Sequence, residues 1–205
     1  MLHGAALGEL EVRRDRSGET RLRGRFPYNS PAVLSDGGRS GRPRKEMFAP
    51  SAFDYSIDSP EQDIAMLVGH SWDKPLASKM TETLTFQKGR DALGFEAIIT
   101  AAVAETTFGR DAIALLGSGL AVGISPGFRI PPERAVPDAE EIFEEPNRPE
   151  EGMHRAIIRR IKQAILFELS IVTRPAYPDA TVELRNWQPN AGGVLQYNPL
   201  NRWRL

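Results

Sequence analysis

Three side-chain types in this 205-residue chain could together carry acyl-transfer chemistry: a serine, a histidine and a carboxylate. Ser125 lies in the stretch Leu120 to Ile130, LAVGISPGFRI, inside a literal G-x-S-x-G running from Gly123 to Gly127. The chain has only three histidines, His3, His70 and His154. His70 closes the apolar run AMLVGH and opens the loop-like SWDKPLA, a place where a rigid scaffold presents a functional side chain. A serine beside a histidine is the minimal machinery for acyl transfer. The imidazole, with an ordinary pKa of about 6.5, takes the hydroxyl proton and later returns it to the leaving group. A third group fixes the imidazole tautomer and stabilises the imidazolium. Glu168, between Phe167 and Leu169 in the apolar AILFELSIVT, is a candidate for it, because a lone carboxylate there is costly unless paired.

The G-x-S-x-G itself suggests a different enzyme, an α/β-hydrolase with a nucleophile elbow. That design needs a sharp strand-to-helix turn at the serine, and an oxyanion donor on the next backbone N–H. Here the next residue is Pro126, which has no N–H and pushes Ser125 toward extended geometry. The following GFRIPPERAVP is no helix. The elbow's acid and histidine would have to be Asp138 and His154, both in a proline-rich segment. The elbow is therefore rejected. Bland roles stand beside the Ser–His–Glu reading. A histidine at a strand end is often structural, and a strand serine more often so. Glu168 could face solvent on an edge strand, or pair with Arg129, Arg159 or Arg160.

The elements that must position these residues are readable in outline. RLRGRFPY at 21–28 alternates as a strand, and 29–45, rich in Gly, Ser, Pro and Arg, reads as a flexible loop. EMFAPSAFDYSI suggests a short helix with Pro50 near its start and Phe48, Phe53 and Ile57 buried. DIAMLVGH reads as a buried strand ending at His70. TETLTFQKGRDALGFEAIIT reads as a hairpin, with Leu84 and Phe86 on one strand and Phe95, Ala97 and Ile99 on the other. Residues 106–117 are helical in pattern. Thr106 or Thr107 caps the helix, Phe108, Ala112, Leu115 and Leu116 share one face, and Gly117 or Gly119 stops it. Residues 131–153 are acidic and proline-rich and read as a mobile surface excursion. RAIIRRIKQAILFELSIVT gives a strand pair or one long bent strand, with a helix over 156–166 as the competing reading. The sum is a β-rich single domain at 21–185, with a flexible segment at 1–20 and an extension at 186–205.

Composition bounds the partners. Hydrophobic residues at 40% and charged residues at 26% are ordinary for a soluble globular chain. A formal net charge of −1 gives no pull toward nucleic acid or anionic membrane. The absence of cysteine excludes disulfides, thiolate catalysis and cysteine-ligated metal. No apolar run approaches the roughly 20 residues of a membrane-spanning helix. MLHGAALGELEVRRD lacks the pattern of a signal peptide, so the chain reads as cytoplasmic or as part of a particle assembled there.

Several short blocks, in order, resemble the tailed-phage prohead protease family, the capsid-maturation serine proteases. RGRFPYNS looks like the family's opening strand. EMFAPSAFDYSI is similar to its E-x-[FI]-x-P-G-A-F block, with Ser51 where the family commonly has glycine. AMLVGHSWDKPLA is similar to its strand-then-histidine block, and GLAVGISPGF to its [GS]-x-S-x-G-F block. LFELSIVTRPAYPDA resembles the block L-x-E-[VL]-S-[LI]-V-T-x-P-A-[NY]-x-x-A, the most specific of the set. The blocks span about residues 21–185.

The resemblance implies a serine endopeptidase with a β-barrel flanked by helices, similar to the herpesvirus capsid-assembly protease. Position by position it makes Ser125 the nucleophile, His70 the base and Glu168 the third member. It implies no metal or cofactor. The implied substrates are the major capsid protein and scaffold segments inside an immature head in the host cytoplasm, with self-cleavage and self-association. The loop at 29–45 and the tail after 186 are the expected self-cleavage segments. Two departures stand out. The acidic insertion at 131–153 falls between the nucleophile and the last strands. Pro126 moves the oxyanion donors elsewhere, with the N–H groups of Gly127 and Phe128 and the Arg129 side chain as candidates. A catalytically inactive scaffold or assembly protein of the same fold is the alternative, with an α/β-hydrolase esterase behind it.

Overall fold

The computed structural model describes residues 18–38, 41–121 and 123–173, together with the backbone of two strands at 2–3 and 10–14. In chain order these are strands Leu2–His3 (β1), Leu10–Arg14 (β2), Thr20–Pro27 (β3), Ala32–Ser35 (β4) and Arg44–Phe48 (β5), then the short helix Asp54–Asp58 (α1). Next come Ala65–Val68 (β6), Ser71–Ser78 (β7), Leu84–Lys88 (β8) and Ala92–Ile99 (β9). The helices Ala101–Ala104 (α2) and Thr107–Gly117 (α3) lead into Gly123–Arg129 (β10). The remaining strands are Glu140–Glu144 (β11), Asn147–Arg148 (β12), Met153–His154 (β13), Ile157–Ile161 (β14) and Ile165–Val172 (β15).

Among the described residues 46% are in strands and 15% in helices, so the chain is β-rich α+β, as expected. Among the described residues the strands close no barrel. The strands make a five-stranded sheet in the order β1-β10-β15-β6-β7, four-stranded sheets β11-β14-β5-β4 and β2-β3-β9-β8, and the ribbon β12-β13, and none of these orders returns to its first strand. What joins them is a shared apolar core. Phe26 of β3, Phe48 of β5 and Phe128 of β10 come one from each large sheet, and Phe53 precedes α1; all are at most 1% exposed. Phe48 meets Phe26, Phe53 and Phe128 at ring-centroid distances of 5.2, 4.9 and 5.0 Å. The contacts to Phe26 and Phe128 are edge-on, the geometry that the ring quadrupole favours.

Most local expectations hold, for visible reasons. β3 buries Leu22 and Phe26 on alternate positions and pairs with β9 along its whole length. The β8–β9 hairpin forms, with Leu84, Phe95, Ala97 and Ile99 buried. Thr106 caps α3 by accepting from the N–H of Gly109 at 3.0 Å, and Gly119, at φ +69°, is the residue that stops it. Ser51, in the tight turn before α1, also has a left-handed φ of +66°. That conformation favours glycine, since a side chain there crowds its own backbone.

Four expectations are corrected. The supposed loop at 29–45 contains β4 and the start of β5, leaving only about its middle as connection. SWDKPLA is the strand β7 and not a loop. The first twenty residues contribute β1, against β10, β2, against β3, and Thr20, the first residue of β3. The acidic segment 131–153 is not a free excursion. β11 pairs with β14 over five positions, from Glu140↔Ile161 to Glu144↔Ile157. Its acids accept from cations of neighbouring strands: Glu140 from Arg159 at 2.6 Å, Glu141 from Arg160 at 3.3 Å, Glu145 from Lys45 at 2.6 Å. The strand reading of 156–171 holds over the helical one, but β14 and β15 join different sheets and do not pair with each other. The extension at 186–205 lies outside the described residues.

Candidate active site

β6 is wholly apolar and lies parallel to β15, from Glu168↔Ala65 to Ile171↔Val68. It ends in a two-residue turn, Gly69-His70, before β7 returns with Val68 opposite Ser71. Both turn residues have positive φ, +59° and +60°, the signature of the turn whose twist suits a two-residue hairpin. Glycine takes this conformation freely. Histidine pays for it with about 1 kcal/mol or more of local strain. The surroundings hold it there. The N–H of Gly69 donates to the carbonyl of Ile171 at 2.9 Å, and the N–H of His70 to the Oγ of Ser170 at 2.9 Å. The turn is thus docked on β15 through both of its amides.

β15 alternates across the sheet. Leu169 and Ile171 enter the apolar core, while Glu168 and Ser170 occupy the opposite face and are still buried, at 1% and 0% exposure. Glu168 Oε1 lies 2.7 Å from His70 Nδ1, and Oε2 accepts from the Ser170 hydroxyl at 2.6 Å. Each carboxylate oxygen therefore has a donor, the condition under which a charge can be buried at tolerable cost. Of the arginines considered as partners for Glu168, Arg159 and Arg160 engage acids of β11, and Arg129 lies over the Phe167 ring at 5.4 Å.

Ser125 sits in β10, on the other side of β15, and is 2% exposed. The antiparallel register sets Ser125 opposite Ser170 and Gly127 opposite Glu168. Residues directly opposite in such a pair share a face, so Ser125, Gly127, Glu168 and Ser170 lie on one surface of the sheet. Gly127 is there for space. A Cβ on it would stand 2.2 Å from Glu168 Oε1, the same oxygen that meets His70. The carboxylate oxygen that meets His70 Nδ1 therefore lies against the part of β10 that carries the serine. All three residues singled out from the sequence converge on this sheet face.

The rejection of the elbow is carried by the backbone. Ser125 is in the third position of a seven-residue strand, not at a strand-to-helix turn. Asp138 and His154 are exposed and lie outside the sheet that holds Ser125. Pro126 fits where it is, since among the described residues β1 pairs with Gly127 and Phe128 and asks no N–H of it. Gly127 and Phe128 are flanked by β1 on one side and β15 on the other, with a register shift between them. Sequence reasoning missed Ser170. Its signal was present, because the spacing of Glu168 and Ser170 in a strand puts both on one side. It also missed the left-handed turn, where Gly69-His70 between two apolar strands was the cue.

The model of the caudovirus prohead serine protease family matches residues 27–191, and the chain belongs to that family. It is a serine protease of phage capsid maturation, a class whose substrates are capsid proteins and whose place of action is the prohead in the host cytoplasm. No curated protein and no solved structure matches the chain.

Proposed function

We propose that this chain is an endopeptidase that cuts capsid and scaffold segments in the immature head through an acyl-enzyme formed on Ser125. The observation that supports it most is the 2.7 Å hydrogen bond from His70 Nδ1 to a buried Glu168, on the sheet face that also carries Ser125. An ionised Glu168 can only accept, so Nδ1 carries the proton and Nε2 keeps its lone pair. Nε2 then takes the Ser125 proton as Oγ attacks the substrate carbonyl carbon. The tetrahedral intermediate collapses by breaking the C–N bond, and the imidazolium hands its proton to the leaving amine. Water, deprotonated by the same nitrogen, attacks the acyl group and releases the new carboxyl terminus and the serine hydroxyl. Glu168 offsets the imidazolium charge throughout. No step calls for a metal or cofactor.

Self-cleavage, self-association and kinship of fold with the herpesvirus capsid-assembly protease belong to the same reading. The candidate self-cleavage segments are the tail after 186 and, within 29–45, the stretch between β4 and β5. Co-expression with the major capsid protein tests the proposal. Ser125→Ala and His70→Ala should each abolish processing of the capsid protein and of the enzyme itself. Retained cleavage in Ser125→Ala would remove the serine from its role. A wild-type chain that neither cleaves nor reacts with a serine-directed phosphonate would favour the inactive assembly protein.

A further inference from the structure

We infer that Ser170 is a positioning residue of this site, a fourth member that sets the histidine through both its main chain and its ring; the inference rests on the Ser125–His70–Glu168 reading above. One hydroxyl performs two tasks. It donates to Glu168 Oε2 at 2.6 Å and accepts from the backbone N–H of His70 at 2.9 Å. Glu168 Oε1 in turn meets His70 Nδ1 at 2.7 Å. The three contacts close a ring: His70 main chain, Ser170 hydroxyl, Glu168 carboxylate, His70 imidazole. A histidine held in a left-handed turn has two freedoms to lose, where its backbone sits and which way its ring points. This ring removes both at once.

Chemistry explains why a serine serves here. A hydroxyl offers one donor and accepting lone pairs, so it can satisfy a carboxylate and an amide together. Alanine would leave the His70 amide without this acceptor and Oε2 without this donor, in a place that water reaches poorly, since Ser170 is 0% exposed. Ser170 also lies directly opposite Ser125 across the β10–β15 ladder. Movement of its anchor therefore changes the placement of the base relative to the nucleophile. Ser170 acts through Glu168 and His70 and needs no contact with substrate.

The test uses the full chain and three variants, Ser170→Ala, Ser170→Cys and Ser170→Thr, with Ser125→Ala in parallel. Cysteine keeps the volume with a weak donor, threonine keeps the hydroxyl. Three readouts are followed: kcat and KM on purified capsid protein, the rate of covalent labelling by a fluorophosphonate, and the imidazole Nδ1–H proton resonance of His70. Thermal melts identify folded variants. The alanine and cysteine variants should lose about tenfold to a hundredfold in kcat and in labelling rate with KM unchanged. Their Nδ1–H resonance should shift or broaden away, and threonine should retain most of the rate and the signal. If alanine does not fold, the cysteine variant carries the result. Folded variants with wild-type kcat and an unmoved resonance overturn the inference, as does a loss confined to KM. Labelling or cleavage that persists in Ser125→Ala defeats the nucleophile assignment instead, so the two failures are distinct.

Discussion

At the residue scale the site is a problem of burying charge and keeping it placed. Glu168 is almost wholly buried, yet both oxygens have donors from residues that are themselves fixed by the backbone. Gly127 makes the room. A Cβ there would meet Glu168 Oε1 at 2.2 Å and its Cδ at 2.7 Å, so the carboxylate would have to move. The far end of a side chain yields more easily than backbone, which separates the effect on chemistry from the effect on stability. Gly127→Ala should leave a folded protein with a modest loss in thermal midpoint and a fall of about a hundredfold in kcat. Steady-state cleavage of purified capsid protein checks this, and near wild-type kcat would show that the position of Glu168 is not what matters. His70 and Glu168 stood out in the sequence as polar groups beside or within apolar strands, and Ser125 through its G-x-S-x-G and the family block around it. What Ser170 and Gly127 do for Glu168 was not legible, since it depends on which strand lies opposite and which side chain reaches across.

At the element scale the acidic segment before β14 is the clearest divergence from expectation. Its composition is that of a disordered loop, and composition decides the outcome only when no complementary surface exists. Here the complement is Arg159, Arg160 and Lys45, on β14 and β5, separated from their acids by about twenty to a hundred positions that a local pattern does not span. Glu145 is the best held. Its Oε2 accepts from Lys45 Nζ at 2.6 Å, and its Oε1 from the N–H groups of His154 and Ala156 at 2.9 and 3.1 Å. Burial pushes this carboxyl up, but the Lys45 ammonium and the two amides outweigh it and hold it below the usual carboxylate range. A depressed folded value means that the group stabilises the fold above its unfolded pKa and stops doing so as pH falls through the folded one. Glu145→Gln should therefore cost about 2 kcal/mol at neutral pH. The difference from wild type should close as the pH drops below about 4. Urea melts at several pH values measure it; a gap that is constant with pH would contradict the role of the charge. Glu46 behaves in the opposite sense, since burial raises its carboxyl despite the lowering influence of Arg159.

At the scale of the whole molecule three open sheets behave as one body because they share an aromatic knot. Phe48 is its centre, touching Phe26, Phe53 and Phe128 from the other elements. Phe48→Ala should destabilise the protein by about 3–5 kcal/mol, the range for emptying a large buried aromatic site, and should loosen β10 with it. A denaturant melt checks the number, and a loss under about 1 kcal/mol would mean that the sheets are held by something else. The apolar periodicities that make β3, β8, β9, α3, β14 and β15 were legible, because each has a buried face of its own. How the sheets assemble was not. Whether strands close into a barrel or stack around a core is set by pairings between distant segments, such as β5 with β14 and β6 with β15, which no local pattern records.

The central claim is that Ser125 is a nucleophile activated by a histidine held from β15. Its most direct measurement is the mapping of a fluorophosphonate adduct by mass spectrometry on the wild-type chain and on His70→Ala. The account predicts a single adduct on the peptide containing Ser125, formed rapidly in wild type and at least about a hundredfold more slowly without His70. An adduct on any other serine, or a rate at Ser125 that is indifferent to His70, would contradict it.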